Sequence, residues 1–425
     1  MDLVQEEISH ILYSLIVKPM APQRLSATAL LVMALTTLVS CHTSGPEQNN
    51  TTSVETKPPN SSYKSAFPGQ TRTTAITTKT PLSIVVIDST LQHPWGICNL
   101  PDGRLLISGK MGTMCIETLA GKRDKEITGF PAVVPDGQGG LLDVNIDPQF
   151  TTNRMIYWDY SEQTPDGTLL AVAKGKLSAD ETKVEEPTVI YRATPAYKGG
   201  LQFGSRIVFD KDGNLFVSTG ERSANEIRVQ AQQLNSALGK IIHITTEGKP
   251  VPGGPFADTP NARPEIYAYG LRSPEGLALS PQTGALWEAE FGPRGGDEVN
   301  LIQPGKNYGW PVITYGIEYS GDKVGDGIQQ QRGMEQPVYY WDPSVSPSGI
   351  TFYSRGDIPE WEGNLFLGCL SGSHIIRLEI KDNKVVGEEW LLQHLGERFR
   401  ALRQGKDGAL YAITDGGKLY RIAKK

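Results

Sequence analysis

The chain has 425 residues, with 41 Lys and Arg against 47 Asp and Glu, 38% apolar residues, and 46 Gly beside 29 Pro. A net charge of −6 with no long Lys/Arg run argues against a nucleic-acid partner, because phosphate binding needs a clustered basic surface. So many turn-formers argue against a helical bundle and predict many short strands, and the four Cys, at 41, 98, 115 and 369, lack any CxxC pair or His spacing that would hold zinc.

In chain order, the first feature is an apolar stretch over residues 26–40 (SATALLVMALTTLVS), preceded by Arg24 and too short to span a bilayer. A short apolar run behind a basic residue and ahead of small residues describes a secretory signal. Leu38-Val39-Ser40-Cys41 resembles a bacterial lipobox, which predicts residues 1–41 as a signal with a lipidated Cys41 as the first mature residue. Residues 1–19 carry two Glu and one Asp where a signal should be basic, so the expected start is Met20, the alternative being an unusual extension ahead of the signal. Residues 42–81, rich in Thr, Ser, Asn, Pro and Lys, are expected to be a disordered tether, since they hold too little apolar surface to offset their ordering entropy. The expected location is therefore the cell envelope, periplasm-facing or at the outer membrane, with membrane contact only through the lipid.

From residue 82 an apolar strand, a turn and a second strand recur six times: 94–109, 141–160, 205–220, 274–292, 347–372 and 399–417. Their turns, near Asp102, Asp147, Asp212, Thr283, Glu362 and Asp407, are spaced by 45, 65, 71, 79 and 45 residues. Asp-Gly between alternating apolar residues is a strong hairpin signal. Six such units predict an all-β fold over 82–425, a six-bladed β-propeller with four-stranded antiparallel blades. The strand at 83–88 (SIVVID) is expected to complete the last blade so that no edge stays open. The long gaps 160–204 and 221–270 are expected to supply loops at the mouth of the central channel. Cys98 and Cys115 are expected in neighbouring strands of the first repeat; export would permit a disulfide, but free thiols are the preferred reading.

Laid side by side, HPWGICNLPDG (93–103), GQGGLLDVNIDPQF (137–150), QFGSRIVFDKDGNLFVSTGE (202–221), the long segment from RPEIYAYGLRSPEG to NYGWPVITYG (263–316) and ERFRALRQGKDGALYAITD (397–415) resemble the soluble sugar dehydrogenases that depend on pyrroloquinoline quinone (PQQ), the glucose/sorbosone dehydrogenase family. The resemblance covers all six repeats. It implies a six-bladed propeller with PQQ over the channel mouth, calcium at the cofactor, an aldose sugar as substrate and an external electron acceptor.

PQQ is a planar tricarboxylate quinone, so its site calls for Arg forks, a hard cation and a flat surface. Arg398 and Arg400 flank Phe399 and so share one face of a strand. The resemblance assigns them to the cofactor carboxylates, and assigns Gln138 and Arg272 to further PQQ contacts. It gives the Gly292-Pro293 carbonyls to the PQQ-associated calcium, and Glu298 and Tyr308 to a second, structural calcium. Read alone, the arginines are a solvated face and GPRGGDE (292–298) a glycine-rich loop with solvated acids.

The main departure is Gln202. Oxidising a C1 hydroxyl needs a base for its proton, and the family has a His where this chain has Gln202, which carries no titratable nitrogen. None of the six His lies in that segment, and His93 reads as structural. Phe291, Ser273 and Ser371 also replace family residues around the quinone and calcium. The resemblance thus implies a PQQ- and calcium-dependent oxidation of an aldose to its lactone, weak or altered, or one that uses another base such as Glu221 or Glu290. The alternatives are a non-catalytic propeller binding a sugar or protein at the same mouth, and a calcium-dependent sugar lactonase.

Overall fold

A computed structural model describes residues 52–425. The expected signal segment, with Met20 and the expected lipidation site Cys41, lies outside the described residues. The fold is a propeller of six four-stranded antiparallel sheets. The blades span residues 94–127, 141–192, 204–269, 274–341 and 347–391, and the sixth combines 399–424 with 82–88. Each predicted repeat forms the two inner strands of one blade.

Alternating apolar residues on these strands make the core, which is divided among the blade interfaces. Trp158, Leu141 and Met114 pack between the first and second blades; Trp287, Ile350 and Leu367 between the fourth and fifth; Phe399, Trp361 and Phe366 between the fifth and sixth. As expected, Leu82–Asp88 closes the ring: it pairs with Leu419–Lys424, with Ile84 opposite Ile422 and Val86 opposite Tyr420.

Every innermost strand breaks register near its first residues: between Pro94 and Ile97, Leu141 and Val144, Gly204 and Ile207, Pro274 and Gly276, Pro347 and Ile350, and Phe399 and Ala401. A bulge adds twist and re-aims side chains. Repeated six times, it turns the strand entries toward one mouth. Just past the entries Arg206 fills the channel, its Nη1 3.1 Å from Asp143 Oδ1 and its guanidinium 4.1 Å over the Trp95 ring. Gly96 and Gly349 leave the room it needs: a Cβ on Gly96 would lie 2.7 Å from Asp143 Oδ1, and one on Gly349 3.0 Å from Arg206 Nη2.

Three expectations are corrected. Residues 52–81 are not a free tether: Gln70 and Thr73 are buried, the Ala75 N–H lies 2.9 Å from Thr52 O, and Ala75 bridges to Glu388 on the rim of the fifth blade. Hydrogen bonds rather than apolar area hold this segment. The gap 160–204 is mostly the outer strands Gly167–Leu177 and Val184–Arg192; a larger mouth loop is 303–338. Cys98 and Cys115 are separated by the intervening strand Leu105–Gly109, and both thiols are free.

Candidate functional site

At the mouth above Arg206 lies a cavity of about 440 Å³ lined by Gln138, Gln202, Arg272, Gly292, Pro293, Arg398 and Arg400. The predicted cofactor positions therefore converge from four blades or the segments that lead into them. His93, Trp95, Lys110, Glu275, Phe291, Tyr319 and Asp415 join them. Of these seven only Phe291 had been placed near the site from the sequence, and His93 had been read as structural.

Arg398 and Arg400 face the same way, as their spacing predicts: both Nε atoms lie 2.9 Å from the Asp415 carboxylate. Burial would raise the Asp415 carboxyl, but Arg400 and then Arg398 outweigh it and hold it below the usual range. Arg400 also lies 3.9 Å from Glu275, whose carboxyl is raised by burial against the pull of Arg400 and Arg206. Lys110 adds a fourth cation, lowered by burial and then by Arg400, with Nζ 2.6 Å from Gly137 O.

Gln202 sits on the rigid approach to the third blade. Its φ of 48° is uncommon for a side-chain-bearing residue. Its N–H donates to Gln138 Oε1 at 2.6 Å, while its own Oε1 is buried without a partner. Arg272 donates from Nη1 to the carbonyls of Phe291 (3.1 Å) and Gly292 (2.8 Å), and its buried Nε is unpartnered. Glu221 and Glu290, the alternative bases, do not line this cavity. Burial raises Glu221 to about 7 against the neighbouring Arg272, and raises Glu290 as well.

Glu298 and Tyr308 meet in a smaller adjoining cavity with Gly292 and Glu290, whereas Pro293 faces the large one. The Tyr308 hydroxyl donates to Leu301 O at 2.7 Å and accepts the Gln303 N–H at 2.9 Å, so a ligand from Tyr308 would be its backbone carbonyl rather than this engaged hydroxyl. The strand register sets Glu290 opposite Glu298 and Glu288 opposite Asn300 on one face of the fourth blade. Burial, then the neighbouring carboxylates, raise Glu288 and Glu298 well above the ordinary range. Glu288 Oε1 and Asn300 Oδ1 are buried without partners. Among the described residues no three His, Cys, Asp or Glu side chains converge to ligate a metal by themselves, so a cation here would draw on backbone oxygens.

Comparison with known proteins places this geometry. The family model described as glucose/sorbosone dehydrogenase matches residues 91–421. The aldose sugar dehydrogenase YliI of Escherichia coli (strain K12) is 40% identical over 349 residues, covering 81% of this chain and 93% of the relative. The crystal structure of the soluble E. coli aldose sugar dehydrogenase in its apo form superposes with a TM-score of 0.77 at 38% identity, covering 81% of this chain and all of that one. The PQQ-bound aldose sugar dehydrogenase of Streptomyces coelicolor superposes with a TM-score of 0.67 at 27% identity, covering 82% and 99%.

Proposed function

Because the chain belongs to the glucose/sorbosone dehydrogenase family and is an oxidoreductase of the sugar dehydrogenase kind, we propose that it oxidises the C1 hydroxyl of an aldose to the lactone with PQQ and calcium, passing electrons to an external acceptor. The observation that carries the cofactor reading is the meeting of Lys110, Arg272, Arg398 and Arg400 around a cavity of about 440 Å³, with the buried Arg272 Nε still free to donate. Four cations suit a planar tricarboxylate, and a PQQ-bound relative shares the fold. When bound, PQQ supplies the two-electron acceptor for the C1 hydride. Arg398, Arg400 and Lys110 hold carboxylates, Trp95 offers an aromatic surface, and the Gly292 and Pro293 carbonyls offer hard oxygens to calcium. Glu298, beside the unpartnered Glu288 Oε1, supports a second calcium.

Gln202 binds and orients a hydroxyl but cannot take its proton. The activity is therefore low, short of a His-bearing relative by roughly the 10² to 10⁴ that general-base catalysis supplies. Gln202→His decides the point: dye reduction with aldoses rises steeply in the PQQ-loaded variant, and a rate left unchanged means that another group is the base. The same Gln202 favours a second reading, a non-catalytic propeller that binds a sugar or protein, and failure of the apo protein to bind PQQ would select it. The lactonase reading lacks support, since of the acids lining the cavity Asp415 is tied to two arginines and only Glu275 remains.

We propose that the domain is held at the cell envelope by a lipidated Cys41, on the pattern LVSC behind a short apolar run. Cys41→Ala is expected to release the protein from the membrane fraction on cell fractionation, and a variant still wholly in that fraction would refute the anchor.

A further inference from the structure

The segment 52–81 lies outside the stretch that the family model matches, yet it reaches the loop that carries the Gly292 and Pro293 carbonyls. Asn60 donates its backbone N–H (2.8 Å) and Nδ2 (2.9 Å) to Asp342 Oδ1, and Ser61 donates its N–H and Oγ (each 3.0 Å) to Asp342 Oδ2. Asn60 Oδ1 accepts from Arg294 Nε at 3.3 Å, and Arg72 Nη2 donates to Asp342 O at 2.7 Å. A carboxylate only 5% exposed thus owes all four of its side-chain hydrogen bonds to two residues of this strap. Removing them would leave a buried charge without partners, a state that drives the group to move or protonate.

Asp342 in turn backs the loop. A Cβ on Gly295, whose φ is +80°, would lie 2.6 Å from Asp342 Oδ1, so carboxylate and loop backbone are in direct contact. Around it the segment 341–346 forms a rail. The Gly296 N–H donates to Trp341 O (2.8 Å), the Gly295 N–H to Ser344 Oγ (2.8 Å), and Ser344 Oγ to Pro293 O (3.4 Å). Asp297 ties the other end, accepting the N–H groups of Gly292, Val345 and Ser346 at 2.7 Å each.

We propose that Asn60 and Ser61 are positioning residues for the cofactor site, which set the Gly292 and Pro293 carbonyls for calcium through Asp342. The inference rests on the reading that these carbonyls ligate the ion. Carbonyl ligands must be held within a fraction of an ångström of their working positions by their surroundings, and the strap is the part of those surroundings supplied from outside the matched region. Its other anchors are independent of residues 60 and 61: Gln70 Nε2 on Pro337 O (3.0 Å), Thr78 on Glu389 and Thr80 on Glu360.

The test is calcium titration calorimetry on the purified full chain with PQQ present, together with the absorbance of PQQ retained at limiting calcium. The parent binds calcium. Asn60→Ala/Ser61→Ala binds it about tenfold more weakly and loses PQQ at limiting calcium but regains it at high calcium, while Ser61→Thr, which keeps the hydroxyl, behaves as the parent. A double variant that melts lower yet binds calcium as the parent does would overturn the inference, because the strap would then be a brace only. If the double variant does not fold, Asn60→Ala alone carries the same comparison. A parent that binds neither calcium nor PQQ overturns the cofactor reading itself.

Discussion

Three carboxylates in and near the mouth, Glu275 and Glu221 buried and Asp415 half-buried, meet different fates because their partners differ. Asp415 accepts from two guanidinium groups and stays ionised. Glu275 has Ser273 Oγ at 3.1 Å and Arg400 at 3.9 Å, too little to offset its burial. Glu221 is raised to about 7 by burial against Arg272, and its Oε2 has no partner. The sign of its effect on stability follows. Below its unfolded value of 4.5 both states are protonated; between there and about 7 the unfolded chain ionises while the fold does not, so stability is lost as pH rises. Glu221→Gln removes this dependence. In melts across a pH series the variant should gain on the parent from pH 4.5 to about 7 and then hold a constant lead. A gap that does not vary with pH would show that Glu221 titrates in the fold as it does in the unfolded chain.

Among the elements, the closing strand Leu82–Asp88 carries an unusual share of the ring's integrity. Its middle residues, Ile84 to Val86, are exposed, so it contributes a hydrogen-bond ladder to Leu419–Lys424 more than it contributes core. Replacing residues 83–87 by Gly and Ser keeps the chain length but removes the β-branched residues that favour a pleated surface. Amide exchange in 419–424 should then speed up and the melting temperature fall; unchanged protection there would mean that the ladder does not depend on those side chains. The inner hairpins were legible in the sequence because Asp-Gly turns and period-two apolar alternation are local signals. The outer strands, the closing strand Leu82–Asp88 excepted, were not: Arg123–Ile127 reads RDKEI, with one buried apolar residue, and becomes a strand only because Met114–Glu117 offers it a ladder. The strap was hidden for the same reason, since Asn60 and Ser61 gain their role from a carboxylate 281 residues or more away. Arg398, Arg400, Gln138, Gln202 and Arg272 could be placed by motif, whereas Asp415 and Lys110 needed the ring to bring them together.

Taken as a whole, the molecule is a ring of apolar interfaces in which the fourth blade buries three acids on one face. Glu288, Glu290 and Glu298 sit with Asn300 on one face of the fourth blade, while Trp287, Ala289 and Val299, which alternate with them, join the apolar core. Acids this near one another in a dry interior call for a cation or a proton, because burial and then the neighbouring carboxylates oppose their ionisation. The Glu288 and Asn300 oxygens without partners make the same demand from the side of hydrogen bonding. An ion bound in the folded state alone stabilises by mass action, about 2.7 kcal/mol when its concentration is a hundred times its dissociation constant. Melting temperature in millimolar calcium should therefore exceed that in excess EDTA, and Glu298→Gln should shrink the difference by removing a charged ligand. Magnesium should substitute poorly, because it requires shorter, near-octahedral contacts and parts reluctantly with its water. Melts that coincide in calcium and in EDTA would mean that the acids of the fourth blade are kept neutral by protons, and the second calcium would then have no place in this protein.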